Sequence, residues 1–350
     1  LVALAAYLHD LGKFAERAGA FDGDPRLDAH LTLYCPFHQE GQWFSHRHAA
    51  HTALAFDLFE KHLPDLLCGD MAPFSGRTMA ETQSDGEATD SLVNASAAHH
   101  KPDTFLQWII ATADRVASGF EREEFERYNE SRDEDGKGLD HYTSRQLTLF
   151  EQIDLSGPAK KAARGELQKR YPLRALSPRA IFPLSAAGCE NRDRGAGKRE
   201  YRALWEEFVR RLEDVPRSHR ANLPLWLDHL DSLWLTYSQA IPSATAFGTK
   251  PEVSLYDHSR TTAALAAALW RWHEARNETS SVAAEALKGR NDFGVPKLLL
   301  VQGDFFGIQQ FIFAAGGDTR KHAAKLLRGR SFQISLLTEL AALKVLDRLG

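Results

Sequence analysis

The chain has 350 residues, 43% of them apolar and 26% charged, with a formal net charge of −4. This length predicts two or three compact units of ordinary globular composition, and the mildly acidic balance excludes a protein that coats nucleic acid over its whole surface. Cys35, Cys68 and Cys189 form no CxxC pair, which excludes a disulfide framework and suits a reducing, cytoplasmic compartment.

Residues 1–18 read as one helix with Leu4, Leu8 and Leu11 on one side. Because that pattern is already running at Leu1, further sequence, and further ligands for the site discussed below, are expected ahead of it. A loop rich in Gly, Pro and Asp spans 19–41, and 46–63 is again helical, ending at Pro64. The stretch 69–90 is polar and small, so it is expected to be exposed and mobile. A short helix over 92–100 stops before Pro102. A longer one follows from Asp103 and buries Phe105, Leu106, Ile109, Ile110, Ala113, Val116 and Ala117.

Charge dominates 121–137 and marks a boundary. The segment 147–155 fits a strand or a short helix, and 187–198 reads as a polar loop. Helices are expected over 199–212, over 223–237 with Trp226, Leu230 and Trp234 on one stripe, and over the Ala-rich 261–274. An apolar strand over Lys297–Gly303 precedes helices at 308–313 and 328–349. The expected class is α+β and multidomain: a helical domain at 1–120, a helical linker region at 121–250, and the opening of an α/β unit at 251–350. No apolar run approaches the roughly 18 residues of a membrane span, and no signal peptide is visible.

The chemistry concentrates in the first 120 residues. His9-Asp10 places an imidazole beside a carboxylate at a helix end. His48 and His51 follow at helical spacing, then the adjacent pair His99-His100, then Asp114 inside an apolar helical run. A carboxylate in such a run rarely goes without a partner. A site drawn from His9, Asp10, His48, His99, His100 and Asp114 favours a divalent transition ion (Mn, Fe, Co, Ni or Zn) over oxygen-seeking Mg²⁺. Such a site fits phosphoester hydrolysis, and Asp10 can bridge two ions. Lys13 lies one helical turn past His9 and can meet a phosphate. His51, three residues past His48, is a weaker candidate ligand, with support of a ligand from behind as the alternative. In 254–260, which mixes Asp257, His258, Ser259 and Arg260, Ser and His are adjacent in the wrong order for an activated nucleophile, so the segment reads as a cap before the Ala-rich helix.

Leu8-His9-Asp10-Leu11-Gly12-Lys13-Phe14, Ser96–Pro102 and Ala113–Gly119 resemble the HD nuclease domain of the large signature subunit of type III-A CRISPR effector complexes. Longer strings carry the resemblance further: Ile241–Thr245, Ser254–Ala264, Gly303–Phe313 and Leu327–Phe332. The resemblance implies an HD domain that cuts single-stranded DNA with Mn, Ni or Co. It also implies ferredoxin-like palm domains that make cyclic oligoadenylate from ATP with Mg. Partners implied are the other subunits of the complex, including the small subunit, with guide RNA and target RNA bound through the assembly. Asp304, after the expected strand, would then hold Mg with the nucleotide; Lys321, Lys325, Arg328 and Arg330 form a basic patch that reads either as a contact for triphosphate or RNA or as a solvated helix face. The Gly-Gly-Asp-Asp hairpin of that family is absent; Gly316-Gly317 leads instead to Asp318-Thr319, so the cyclase part reads as incomplete. Phe305-Phe306 stands where the family often has Ile-Ser, which alters the wall beside Asp304. The same ligands would also serve a nucleotide phosphohydrolase, and an inactive structural subunit is the remaining alternative.

Overall fold

Contacts divide the chain into two units, Leu1–Leu298 and Leu299–Gly350. The structure, a computed structural model, describes residues 1–60, 71–76, 90–122, 140–153, 167–189, 193–245, 251–313 and 322–349.

The first eighteen residues form two helices rather than one: α1 (Val2–Leu8) and α2 (Leu11–Ala18). The break falls at His9-Asp10, and Thr52 satisfies it. Its hydroxyl donates to the His9 carbonyl at 2.8 Å and accepts the Gly12 N–H at 3.0 Å. A side chain thus pairs backbone groups that a continuous helix would pair internally. After α3 (Leu27–Tyr34) comes a two-stranded antiparallel ribbon, β1 (Phe37–His38) and β2 (Trp43–Phe44), and then α4 (His48–Glu60). A Cβ on Gly12 would lie 1.9 Å from the His48 carbonyl oxygen, so glycine is what lets α2 meet α4 so closely.

The expected mobile stretch is only partly described. Met71 and Phe74 within it are buried in the core, and the Ser75 N–H donates to the Asp90 carbonyl at 2.9 Å. Two apolar side chains therefore anchor a segment whose overall composition looks solvated; its remainder, like 123–137, lies outside the described residues. Helix α5 (Leu92–Ala97) starts at Ser91, whose hydroxyl accepts the Asn94 N–H, and tightens into a 3₁₀ turn over Ala98–His100. Helix α6 (Phe105–Arg122) follows.

The ambiguous segment near 150 is a 3₁₀ turn, Leu149–Gln152. A second antiparallel ribbon joins β3 (Lys169–Arg170) to β4 (Leu184–Ser185), and α7 (Ala186–Cys189) is a single turn. Helix α8 (Arg194–Glu213) begins inside the expected loop, because the Asp193 carboxylate accepts the Gly195 N–H at 2.9 Å and caps it there. Next come α9 (Arg217–Arg220), α10 (Leu223–Ser238), α11 (Leu255–Glu274) and α12 (Ser281–Gly289). Phe14 of α2 packs edge-on against Trp205 of α8 at 5.0 Å and lies 6.3 Å from Trp234 of α10. Each such aromatic pair adds about 0.5–1.5 kcal/mol beyond its buried area. Helix α11 packs on both α1 and α6, which places its buried face, with Leu255, His258, Thr262, Ala266 and Leu269, in the core of the first unit.

The second unit contains α13 (Ile308–Phe313) and α14 (Ala323–Leu349). The expected strand Lys297–Gly303 pairs with nothing among the described residues, and Leu300 is 94% exposed. An apolar run becomes a strand only when a neighbour takes its N–H and C=O groups. The ferredoxin-like sheet expected here therefore has no ladder among the described residues. No helix among them is long and apolar enough to cross a membrane.

Candidate metal centre

Five elements converge on one buried cluster. The α1–α2 break supplies His9 and Asp10, α4 supplies His48, the 3₁₀ turn supplies His99 and His100, α6 supplies Asp114, and α11 supplies His258. His9, Asp10, His99 and His258 are 0–2% exposed. His258 Nε2 lies 3.1 Å from Asp114 Oδ1, 3.3 Å from Asp10 Oδ2 and 3.3 Å from His9 Nε2. His9 Nε2 is 3.3 Å from Asp10 Oδ2 and 3.6 Å from Asp114 Oδ1. On the other side of Asp10, His48 Nε2 is 3.4 Å and His99 Nε2 3.8 Å from Oδ1. His48 and His100 bring their Nε2 atoms to 3.0 Å.

Three overlapping sets can hold an ion, each with donor atoms within 4.8 Å of one another: His9, Asp10 and His99; His9, Asp114 and His258; His48, His99 and His100. Asp10 Oδ1 and His99 Nε2 are buried without a hydrogen-bond partner. Leaving such groups bare costs about 1–3 kcal/mol each, and more when charged. A divalent cation accepts donors of this kind, so the residues fit a metal.

The tautomers fit as well. His9 Nδ1 lies 2.6 Å from the Ala6 carbonyl and His99 Nδ1 lies 2.7 Å from the Ser96 carbonyl. A carbonyl only accepts, so both Nδ1 atoms carry hydrogen and both Nε2 lone pairs face the cluster. Burial pushes His99 down to about 4 and holds His48 and His100 well below the usual imidazole range, reinforced at both by neighbouring imidazoles and at His48 also by Lys13. Burial opposes the charge on Asp10, but Lys13 and His9 overcome it and keep its carboxyl well below the usual range. Burial likewise opposes Asp114, where hydrogen bonds from His258 and His9 prevail. Burial opposes the imidazolium of His9, yet Asp10 outweighs it and raises His9. His48, His99 and His100 thus stand neutral beside ionised carboxylates, the states that ligation requires, whereas His9 would give up its Nε2 proton to an arriving ion.

All six residues expected as ligands meet here, and Lys13 Nζ stands 2.5 Å from Asp10 Oδ2. His51 stands apart: its ring faces Phe21 at 6.0 Å and its Nδ1 is buried without a partner, so it supports no ligand through that atom. His258 is the residue that sequence reasoning missed. Ser254 does cap α11, accepting the Asp257 N–H at 3.0 Å, but the helix then turns His258 inward. The available signal was the buried stripe Leu255, His258, Thr262, Ala266 and Leu269, which puts a histidine on an apolar face opposite the partner-seeking Asp114. The imidazole of His258 arrives from 249 residues downstream of His9.

The second unit gathers no such cluster among its described residues. Asp304 is exposed, and its Oδ1 accepts the Phe305 N–H at 2.8 Å. Lys325 and Arg328 are exposed, and Arg330 donates to the Phe311 and Ile312 carbonyls at 3.3 and 3.4 Å, near the end of α13. Lys321 lies outside the described residues.

Comparison with known proteins shows what the chain as a whole is similar to. The family described as Csm1 subunit domain B matches residues 297–350. Over 274 residues the chain is 28% identical to the single-strand-specific deoxyribonuclease Cas10/Csm1 (subtype III-A) of Methanocaldococcus jannaschii, covering 73% of this chain and 31% of that protein. The protein of the same description from Thermococcus onnurineus is 28% identical and aligns with all of this chain and 36% of its own. The chain is similar in sequence to Cas10/Csm1 proteins of subtype III-A. The Mycobacterium tuberculosis Cas10/Csm1 is 32% identical over 196 residues, 56% of this chain and 22% of its own. The chain thus spans about a third of the length of the Cas10/Csm1 relatives it matches. Its fold resembles a Csm1–Csm4 cassette in complex with pppApA, with a TM-score of 0.56 at 22% identity over all of this chain and 36% of that one. The T. onnurineus Csm1 alone gives 0.55 at 22% identity with the same coverage.

Proposed function

We propose that the first unit carries a metal-dependent nuclease centre for single-stranded DNA. The observation that carries this reading is the buried convergence of imidazole Nε2 atoms on Asp10 and Asp114, with Asp10 Oδ1 and His99 Nε2 left for an ion. The names of the relatives, single-strand-specific deoxyribonucleases, supply the substrate class. His9, Asp10, His48, His99, His100, Asp114 and His258 hold divalent Mn, Co or Ni, for which imidazole-rich donor sets are suited. A bound ion supplies Lewis acidity toward phosphate oxygens and an activated water. Asp10 sits between the two imidazole groups and joins them. Lys13, 20% exposed at its side chain and paired with Asp10, offers an ammonium to the incoming phosphate. The carbonyls of Ala6 and Ser96 hold His9 and His99 in the tautomer that presents Nε2.

Residues 1–120, completed by α11, form this nuclease domain, with 121–250 as the helical linker region. The segment matched as Csm1 domain B opens the first palm-like domain. In the complete protein the palms make cyclic oligoadenylate from ATP, with Asp304 on Mg and Lys321, Lys325, Arg328 and Arg330 near triphosphate or RNA. The protein works in the cytoplasm among the other type III-A subunits, guide RNA and target RNA. Solved Csm1–Csm4 cassettes support the partner class.

The test is cleavage of a labelled single-stranded oligodeoxynucleotide by the complete protein in Mn²⁺. Replacing His9 and Asp10 together by Ala removes several kcal/mol of charge stabilisation, a loss of roughly 10³-fold. Undiminished cutting by the double variant contradicts the assignment.

A further inference from the structure

The ribbon beside the metal centre carries features that neither packing nor ligation uses. In its register Phe37 faces Phe44 and His38 faces Trp43, so each pair shares one face. His38 and Trp43 stack at 4.3 Å with only 12° between their planes, yet Trp43 remains 52% exposed. The indole is held flat with half its surface open, so a ring that stacked on its free face would find it already oriented. The loop also fixes its position: a Cβ on Gly41 would lie 2.5 Å from Trp43 Cδ1, so the glycine lets the indole lie against the turn.

The ring surface leads inward. Ser45 Oγ lies 3.0 Å from His38 Nε2 and 3.1 Å from His46 Nδ1, joining the ribbon to the next imidazole. The His46 ring sits 3.9 Å from that of His100, whose Nε2 meets His48 at the metal centre. Arg47, with its side chain 51% exposed, follows His46, and Lys13 stands at Asp10. Flat rings leading to a metal centre, with cations along the way, match a nucleic-acid strand: bases stack on the rings and phosphates meet the cations.

We propose that Trp43, held by His38 and Gly41, is a base-stacking platform that binds single-stranded DNA and feeds it along His46 toward the metal centre. This rests on the nuclease reading for the direction of feeding, but binding and cutting can be measured apart. Stacking on a π-face is tolerant of base identity, so the platform favours unpaired strands without choosing a sequence.

The experiment uses the complete chain and its Trp43→Ala and Trp43→Phe variants. Affinity for a fluorescein-labelled single-stranded oligodeoxynucleotide is read by anisotropy in EDTA, so that the strand stays intact. Cleavage of the same strand and of bis(4-nitrophenyl) phosphate is read in Mn²⁺. Trp43→Ala is expected to weaken strand binding roughly tenfold and raise KM for cleavage while leaving kcat and the small diester unchanged. Trp43→Phe is expected to restore most of the affinity, and an abasic strand to bind wild type and Trp43→Ala alike. Equal affinity of wild type and Trp43→Ala for the base-bearing strand overturns the platform, even if the protein cuts DNA. An equal loss on the abasic strand overturns it too, as does a loss of subunit association in place of DNA affinity. Strand binding through Trp43 by a protein that cuts nothing upholds the platform and sinks the nuclease reading.

Discussion

The two units handle their carboxylates in opposite ways. Asp10 and Asp114 are almost wholly buried, ringed by imidazole nitrogens, and held ionised against burial by Lys13, His9 and His258. Asp304 is exposed and satisfied by its own neighbour's N–H. In the first unit the fold has drawn titratable donors together at the expense of desolvation. In the second, the described residues give Asp304 no second carboxylate and no imidazole. A desolvated, convergent cluster states its chemistry through geometry, whereas an exposed aspartate acquires one only from what is brought to it.

The largest way to break this contrast is to pry the first unit's elements apart. Gly12→Ala pushes a Cβ into the His48 carbonyl and should cost about 3 kcal/mol or more of stability. Thermal unfolding checks this; a shift of under a degree or two would mean that the α2–α4 approach does not hold the site together.

His258→Ala comes next. It should lower metal affinity by roughly 10–100-fold and with it the thermal stabilisation that Mn²⁺ confers, about 2.7 kcal/mol when the ion is at 100 times its Kd. Differential scanning fluorimetry with and without Mn²⁺ reads both. An undiminished Mn²⁺ response would place His258 outside the centre.

Acid sensitivity sharpens the contrast from another side. Burial, aided by Arg47, lowers His51 to about 4, and burial, aided by Arg17, lowers His141 to about 4. Unfolded histidine titrates near about 6.5. Below that value the unfolded chain takes up protons that the folded chain refuses. Stability is therefore complete above about pH 6.5 and falls as pH drops toward 4, by up to about 1.4 kcal/mol per pH unit for each histidine. Replacing both by Gln should flatten the decline in melting temperature between pH 6.5 and 4.5; an unchanged slope would refute the linkage.

The smallest effect is expected at Asp304. Being exposed, Asp304→Ala should change stability by no more than about 0.5 kcal/mol and leave Mn²⁺-dependent DNA cutting as it was, while weakening Mg-ATP use by the complete protein. Paired nuclease and cyclase assays separate these, and a nuclease loss equal to the cyclase loss would erase the distinction between the units.

Much of the centre was legible in the sequence because its signals are local. His9-Asp10 and His99-His100 are adjacent pairs, and Asp114 interrupts an apolar stripe. His258 was not legible in the same way, since only the packing of α11 on α1 and α6 brings it to His9. The break between α1 and α2 was hidden because hydrophobic periodicity runs through it, and the hydroxyl that satisfies it, Thr52, is 43 residues away from His9. The early start of α8 was carried by one capping aspartate, Asp193, in a stretch whose glycines read as loop. The apolar run 297–303 was visible as a pattern, but a strand also needs a partner, which no pattern within one segment supplies.

In the proposed centre His9, Asp114 and His258 hold a metal ion across the α1–α2 break, α6 and α11, with Asp10 beside them. Anomalous diffraction from crystals of the complete protein soaked in Mn²⁺ tests it most directly. The account predicts an anomalous peak within about 2.0–2.3 Å of His258 Nε2 and of a carboxylate oxygen of Asp10 or Asp114. A peak bound elsewhere, or a fully occupied ion that His258 does not touch, would contradict it.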